Sequence, residues 1–292
     1  MTTTKAWDSV FPNQFAERAR KPRKVGVTMV IDKNLGTGGL TDLLETAGDA
    51  IDQIKFAFGT SVALEERTLR TKIEMIRAHG IDMYPGGTLL EAAIVHGVLP
   101  DFFQQARALG FTMVEVSDGT ITLSAAHRAD VIKRAQDIGF KVISEVGKKD
   151  PRHQPSTGLM QALICADLAL GVDYVIIEAR EAGHGVGIYD ASGAVDQAEL
   201  DALVSDIEDL ERLVWEAPLS AQQAYMIHRF GPNVNLGNIP PLDALALEAL
   251  RRGLRFETLK KAAAEYEAAE AAHDPISRML AAAHGGRLDV PL

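Results

Sequence analysis

The sequence is poor in cysteine and in aromatic residues: its 292 residues include one cysteine, and 6% are aromatic. A single thiol, Cys165, cannot form an internal disulfide, so we expect a reducing, cytoplasmic environment, with the thiol packed inside a helix. No apolar run approaches the ~18 residues needed to span a bilayer, and the first residues lack the apolar segment of a signal peptide. The 40 acidic residues outnumber the 30 basic ones, which gives a formal net charge of −10 and predicts neither a nucleic-acid nor a membrane partner.

Short apolar or β-branched runs alternate with longer helical patterns along most of the chain. Several helical patterns end in a glycine that an apolar residue follows, as at Gly80, Gly110, Gly139 and Gly171. The alternation predicts βα units with a parallel sheet, and eight units of roughly 30 residues favour a closed (β/α)8 TIM barrel. An open doubly wound sheet is the alternative. The predicted strands are 25–32, 51–58, 81–84, 112–116, 141–146, 173–178, 212–216 and 233–236.

Three segments follow from this pattern. Residues 1–23 are predicted to be an N-terminal leader with a short helix over the bottom of the barrel, and residues 24–255 the barrel itself. Residues 256–292 begin with an alanine-rich stretch of strong helix formers, which predicts an extra C-terminal helix. That helix is either a solvated terminal element or a subunit contact. We expect a homo-oligomer, because this fold commonly self-associates.

Polar residues recur at alternate positions of the predicted strands. Side chains alternate faces along a strand, and barrel enzymes place their chemistry at the C-terminal ends of several strands. Taking the parity that turns Glu115 inward, the inward polar set also contains Thr28, Asp32, Lys55, Tyr84, Glu145, Glu178, Glu216 and Asn235.

Four glutamates in this set are candidate metal ligands: Glu115, Glu145, Glu178 and Glu216. Crowded carboxylates in a low-dielectric site are costly unless a cation or a retained proton offsets them. Oxygen ligands suit Mg²⁺, which is typically held by one or two carboxylates together with substrate and water. The alternative is that some of the four pair with lysine.

Cations on the same rim are candidate catalytic groups: Lys33, Lys55, Lys148 and Lys149. The last two follow a strand-end glutamate and a glycine, a context that favours anion binding or proton transfer over a merely solvated loop.

Two glycine-containing segments are candidate phosphate sites. In the first, Arg180 precedes Gly183 and Gly185, whose amides could approach an anion closely, while His184 could act as an acid or a base. A mobile surface loop is the alternative, and the segment lacks the helix-opening context of a dinucleotide site. The second segment follows the last strand, where many barrels bind phosphate, and contains Asn235, Gly237 and Asn238.

Nine ordered motifs lie across residues 24–255. They are residues 27–33 (VTMVIDK), 54–61 (IKFAFGTS), 84–89 (YPGGTL), 114–119 (VEVSDG), 144–149 (SEVGKK), 174–181 (YVIIEARE), 215–218 (WEAP), 231–239 (GPNVNLGNI) and 250–255 (LRRGLR). Together they resemble the phosphosulfolactate synthase family, which includes plant heat-stress-associated relatives.

The resemblance implies a Mg²⁺-dependent carbon–sulfur lyase that works in the synthetic direction. Its substrates would be phosphoenolpyruvate and sulfite, its product 2-phospho-3-sulfolactate, and its place the entry to coenzyme M biosynthesis. A lysine would protonate C2 of the substrate, and the resemblance favours Lys149 over Lys148 for this role. Two alternatives remain: a related phosphoenolpyruvate or enolate enzyme that uses another nucleophile, and a non-catalytic protein of the heat-stress type.

Overall fold

The computed structural model describes residues 5–7, 9–11, 18–180 and 182–273, which form eight β-strands and ten α-helices. The strands are β1 Thr28–Asp32, β2 Gln53–Phe56, β3 Asp82–Pro85, β4 Met113–Val116, β5 Lys141–Val146, β6 Tyr174–Ile177, β7 Leu213–Glu216 and β8 Asn235–Ile239. The helices are α1 Thr37–Ala47, α2 Glu66–Ala78, α3 Gly87–Val95, α4 Leu99–Leu109, α5 Ala125–Asp137, α6 Thr157–Ala169, α7 Gln197–Val204, α8 Ser220–Phe230, α9 Ala244–Arg251 and α10 Phe256–His273. Among these residues no helix is long and apolar enough to cross a membrane.

The sheet is parallel and curls into a barrel. Its strand order is β3-β2-β1-β8-β7-β6-β5-β4, so β3 and β4 are the strands that must meet to close it. At that seam the amide of Thr112 donates to the carbonyl of Met83 at 3.2 Å, and the amide of Met83 donates to Thr112 Oγ1 at 3.0 Å. The predicted (β/α)8 barrel is therefore confirmed, and the doubly wound alternative is wrong.

Local signals set many of the helix ends. The Ser124 hydroxyl accepts a hydrogen bond from His127 N at the start of α5, and Ser156 caps α6 in the same way. The chain breaks between α3 and α4 at Gly97, whose φ is +69°, a backbone conformation that glycine adopts readily. Cys165 is exposed on α6, so the prediction of a packed thiol is also wrong.

The barrel interior is divided into two layers. The lower layer is apolar and consists of Met29, Tyr84, Met113, Ile143, Ile176 and Val214. Above it, at the C-terminal ends of the strands, lie the buried side chains of Lys55 and of the four glutamates of the predicted inward set. The polar chemistry thus sits on an apolar floor that faces the open end of the barrel, where barrel enzymes bind their substrates.

The predicted parity fails in β1. Its inward residues are Met29 and Ile31, and Ile31 is the register partner of inward Lys55. Asp32 instead turns outward to α2, where it accepts a hydrogen bond from the Lys72 ammonium at 2.6 Å. Register with a neighbouring strand therefore decided which face of β1 was inside.

The described part of the leader covers the amino-terminal end of the barrel. Arg18 Nε donates to Glu248 at 3.0 Å, Ala19 N donates to Asn233 Oδ1 at 2.9 Å, and the carbonyl of Lys24 accepts from the Tyr174 hydroxyl. Residues 1–4, 8 and 12–17 lie outside the described residues, and the predicted leader helix is not among the helices described.

Truncation after Arg255 should leave the barrel folded and reduce self-association. The helix α10 lies beyond the eight βα units, and its Phe256 side chain is 79% exposed, so it adds little to the core. The circular-dichroism spectrum should remain that of a barrel, while the sedimentation mass falls by more than the removed residues account for. Failure to fold would contradict the first expectation, and an unchanged assembly state the second. Residues 274–292 lie outside the described residues.

Candidate active site

A cavity of about 220 Å³ opens at the C-terminal ends of the strands. It is lined by charged groups from five strands or the loops that follow them, and by the amino end of α3. The lining residues are Ile31, Lys55, Phe58, Gly86, Gly87, Thr88, Glu115, Glu145, Lys149, Glu178, Arg180, Glu216 and Asn238.

Lys55 lies among three buried carboxylates. Its Nζ atom is 2.9 Å from Glu115 Oε2, 3.3 Å from Glu145 Oε2 and 3.5 Å from Glu216 Oε1. Burial alone would lower the pKa of this lysine, but the three carboxylates raise it well above its ordinary value. Lys55 is therefore a fixed positive charge on the floor of the cavity.

Glu115 and Glu216 each have one carboxylate oxygen that accepts from a backbone amide and a second oxygen near Lys55. Besides their contacts with Lys55, Glu115 Oε1 accepts from Gly87 N at 2.8 Å, and Glu216 Oε2 accepts from Ala179 N at 2.9 Å. Burial raises the pKa of Glu115 to about 7, and the nearby Lys55 charge limits the rise. Together with Glu145, these two glutamates fix the position of Lys55.

Glu145 and Glu178 are close enough for each to shift the pKa of the other. Burial, together with the charge of Glu145, raises the pKa of Glu178 well above its ordinary value. For Glu145, burial is outweighed by Lys149 and Lys55, which lower the pKa of its carboxyl group. Glu145 Oε1 and Glu178 Oε2 are buried and accept no hydrogen bond from the described residues, and the same holds for Glu115 Oε2, which lies 2.9 Å from Lys55 Nζ. The second oxygens are engaged: Glu145 Oε2 accepts from Lys55 at 3.3 Å, and Glu178 Oε1 accepts from Arg180 N at 2.6 Å. Asn238 Oδ1, which also lines the cavity, is unpartnered in the same sense.

Lys149 extends into the cavity from the loop after β5. Its Nζ atom is 3.3 Å from Thr88 Oγ1, 3.6 Å from Glu145 Oε1 and 4.0 Å from Glu178 Oε2. Partial burial opposes the charge, yet Glu145 and Glu178 raise the pKa of Lys149 above its ordinary value. The ammonium is consequently protonated at neutral pH, as a proton donor must be before it acts.

The neighbouring Lys148 points away from the cavity. Its ammonium donates to the backbone carbonyl of Asp118, to Asp118 Oδ2 at 3.0 Å and to the carbonyl of Ile121 at 2.7 Å. Asp118 is held in turn by Arg128, at 3.2 Å. Lys148 therefore ties the loop after β5 to the loop after β4.

Two further residues predicted from the sequence line the cavity, and both have a left-handed backbone conformation. Arg180 and Asn238 both line it, and both adopt positive φ, +61° and +54° respectively. In β8 the register with β1 shifts between the pairs Thr28–Leu236 and Val30–Ile239, so an additional residue is inserted on β8 there. This irregularity directs Asn238 to the rim.

The remaining candidates do not line the cavity. Lys33 is exposed at the mouth, with its Nζ 5.9 Å from the centre of the Phe58 ring. Asn235 lies at the opposite end of the barrel, where it accepts from Val27 N at 2.9 Å and donates to Leu213 O at 3.0 Å. Gly237 faces the apolar floor beside Met29.

Gly183 and Gly185 belong to a folded loop beside the rim. The Gln222 side chain donates to the carbonyls of Gly183 and Gly193, at 2.7 and 2.9 Å, which fixes that loop against α8. Gly183 and Gly185 therefore do not line the cavity. The ring of His184 packs against Gly193, and His184 does not line the cavity either.

Sequence reasoning missed the amino end of α3. Gly87 and Thr88 line the cavity, and Gly87 leaves no room for a side chain, because a Cβ there would lie 2.6 Å from Glu115 Oε1. The signal was available in the glycine pair before a helical pattern, which is typical of an anion-accepting helix start.

Within the described part of the chain, no group of three or more His, Cys, Asp or Glu side chains is arranged to hold a metal ion by itself.

Comparison with known proteins gives a family match along most of the chain. The family model for (2R)-phospho-3-sulfolactate synthase matches residues 16–257. The phosphosulfolactate synthase of Methanothermobacter thermautotrophicus is 44% identical over 248 residues, covering 84% of this chain and 95% of that protein. The phosphosulfolactate synthase of Methanocaldococcus jannaschii is 43% identical over 238 residues, covering 81% and 94%. Heat-stress-associated protein 32 of Arabidopsis thaliana is 24% identical over 271 residues, covering 84% and 91%.

Among solved structures, phosphonopyruvate hydrolase is similar with a TM-score of 0.51 and 18% identity. The match covers 82% of this chain and 84% of that one. At this identity the likeness concerns the fold alone.

Proposed function

The chain belongs to the phosphosulfolactate synthase family, and from this premise we propose that it adds sulfite to phosphoenolpyruvate. The product is (2R)-2-phospho-3-sulfolactate, and the reaction is the first step of coenzyme M biosynthesis. The observation that carries the proposal is the family match over residues 16–257, which contains every charged residue of the cavity.

Both substrates are anions, and the charges of the cavity bear on how they bind. Lys55, Lys149 and Arg180 supply three positive charges, while four glutamates also face the cavity. A phosphate, a carboxylate and a sulfite gathered there need further positive charge, since like charges in a low-dielectric site are costly. This imbalance supports a divalent cation as part of the site.

The residues present fit Mg²⁺. Glu145 Oε1 and Glu178 Oε2 are buried oxygens that accept no hydrogen bond from the described residues, and both lie within 4.0 Å of Lys149 Nζ. Two carboxylates with substrate and water are a common Mg²⁺ ligand set, so a third protein carboxylate is not required. We assign Glu145 and Glu178 as the ligands, and Glu115 and Glu216 as the residues that hold Lys55. When bound, Mg²⁺ would supply positive charge against the carboxylate dianion that forms during the reaction.

The bond changes are those of an addition across a double bond. The sulfur lone pair of sulfite attacks C3 of phosphoenolpyruvate and forms the carbon–sulfur bond. The electrons of the C2–C3 double bond move onto the carboxylate, which becomes a dianion. The Lys149 ammonium then donates a proton to C2, and the dianion returns to a carboxylate. The Lys149 side chain is 31% exposed and can therefore regain its proton from water.

The fixed ammonium of Lys55 is suited to the dianion. Its charge is present before the substrate arrives and is held by three carboxylates, so it need not reorganise as negative charge develops. Arg180 and Asn238 at the rim provide donors for the phosphate, and Arg180 can contribute two parallel hydrogen bonds.

Product analysis tests the proposal. The protein is incubated with phosphoenolpyruvate, sulfite and Mg²⁺, and the products are followed by phosphorus NMR and mass spectrometry. We expect a new phosphate ester with the mass of phosphosulfolactate, formed when both substrates are present. Consumption of phosphoenolpyruvate without sulfite would indicate another nucleophile, and no consumption under any condition would indicate a non-catalytic protein. Either result would overturn the proposal.

A further inference from the structure

Glu91 of α3 is a buried carboxylate outside the set that lines the cavity. Its side chain is 2% exposed, and it accepts hydrogen bonds from Ser117 Oγ at 2.7 Å, Thr120 N at 2.8 Å and Ile121 N at 2.9 Å. All three donors lie in residues 117–121, directly after β4. The carboxylate therefore acts as the centre around which this loop is folded.

The same loop supports the proton donor. Lys149 N donates to the carbonyl of Gly119 at 3.1 Å, which joins the two loops through their backbones. A Cβ on Gly119 would lie 3.2 Å from Lys149 Cε and 3.3 Å from its Cδ and Cγ, so the lysine stem rests on this glycine. Glu91 Oε1 is itself 3.8 Å from Lys149 Nζ. The carboxylate thus acts on both the stem and the charge of Lys149.

We infer that Glu91 is a positioning residue for Lys149: it fixes the loop after β4 so that the lysine ammonium faces the substrate. Removing a carboxylate from water costs several kcal/mol before its partners compensate, and apolar replacements are often neutral or stabilising, so stability alone does not explain its presence. Positioning the proton donor does explain why a carboxylate is buried here, because misplacement of a catalytic group by about 1 Å can cost about 10²-fold in rate.

Glu91→Gln is the first test, and it rests on the proposed function. A glutamine oxygen can still accept from the Thr120 and Ile121 amides, but its NH2 group replaces the oxygen that accepts from the Ser117 hydroxyl, so that hydroxyl must turn around and accept instead. The substitution also removes the negative charge 3.8 Å from Lys149 Nζ. We expect kcat to fall about 10²-fold with little change in the KM for phosphoenolpyruvate, since Glu91 does not line the cavity. The matched control is Asp32→Asn, which alters a buried carboxylate that pairs with Lys72 outside the barrel and should leave kcat near that of the wild type.

A double-mutant cycle separates positioning from general support of the fold. If Glu91 acts through Lys149, Glu91→Gln should cause no further loss of rate in a Lys149→Ala background. The same fold-loss in both backgrounds, or an unchanged kcat in the single variant, would overturn the inference. If Glu91→Gln fails to fold, Ser117→Ala replaces it, because this variant removes one of the three hydrogen bonds to Glu91. Its loss of rate is then compared in the wild-type and Lys149→Ala backgrounds.

A second measurement does not depend on turnover. Lysines are reductively methylated with ¹³C-formaldehyde, and the resonance of Lys149 is identified by its absence in Lys149→Ala. We expect this resonance to move toward those of exposed lysines in Glu91→Gln and to stay in place in Asp32→Asn. An unmoved resonance in Glu91→Gln would overturn the inference. If the wild-type protein forms no phosphosulfolactate, the proposed function fails, while this spectrum still decides the role of Glu91.

Discussion

Lys149→Ala is expected to lower turnover by about 10²–10⁴-fold, the usual loss when a general acid is removed. The ammonium of Lys149 is protonated at neutral pH, lines the cavity and stands 3.6 Å from the Glu145 carboxylate that we assign to the metal. Alanine removes the donor and leaves Glu145, Glu178 and Lys55 in place. Binding of phosphoenolpyruvate should survive, weakened by the lost charge. Turnover is followed by phosphorus NMR and binding by calorimetry.

Lys148→Ala is the matched comparison, because the two lysines are adjacent in sequence and differ in direction. The Lys148 ammonium is occupied by Asp118 and by the carbonyl of Ile121, so its loss should loosen the loop and reduce the rate far less. If Lys148→Ala is inactive and Lys149→Ala is near the wild type, the assignment is reversed. If both variants are near the wild type, the donor lies elsewhere.

Removing metal with EDTA is expected to abolish activity, and Mg²⁺ or Mn²⁺ should restore it, because hard oxygen ligands favour these ions. Glu145→Gln and Glu178→Gln should each raise the concentration of Mn²⁺ needed for half-maximal binding, measured by calorimetry or electron paramagnetic resonance. Glu115→Gln, which alters a carboxylate whose oxygens are engaged by Gly87 and Lys55, should change metal affinity less.

Two results would contradict this assignment. Full activity in metal-stripped protein would mean that the lysines alone offset the substrate charges. Equal loss of metal affinity in all three glutamine variants would mean that the carboxylates do not divide into two pairs. Zinc should be a poor substitute, since the predicted ligand set contains no cysteine or histidine.

The sequence by itself determined the fold and the chemical character of the site. Period-two alternation and glycine helix caps are local signals, and they located all eight strands, although the bounds moved by a few residues. Because parallel strands end at one rim, the strand-end residues Lys55, Glu115, Glu145 and Glu216 could be expected together before any contact was known.

Tertiary structure decided which contacts each of those side chains makes. Four glutamates are alike in sequence, yet Glu115, Glu178 and Glu216 accept from the backbone amides of Gly87, Arg180 and Ala179, while Glu145 contacts both Lys55 and Lys149. Lys148 and Lys149 are neighbours, and contacts with the loop after β4 determine which one enters the cavity.

Backbone irregularity decided the rest. The alternation of side chains along the strands predicted that Asp32 and Asn235 face the barrel interior. The register of β1 turned Asp32 outward, and Asn235 lies at the amino-terminal end of its strand. The register shift in β8 carried Asn238 to the rim. Register and bulges arise from pairing between segments distant along the chain. Their positions depend on the whole closed barrel, so a pattern read within one strand does not contain them.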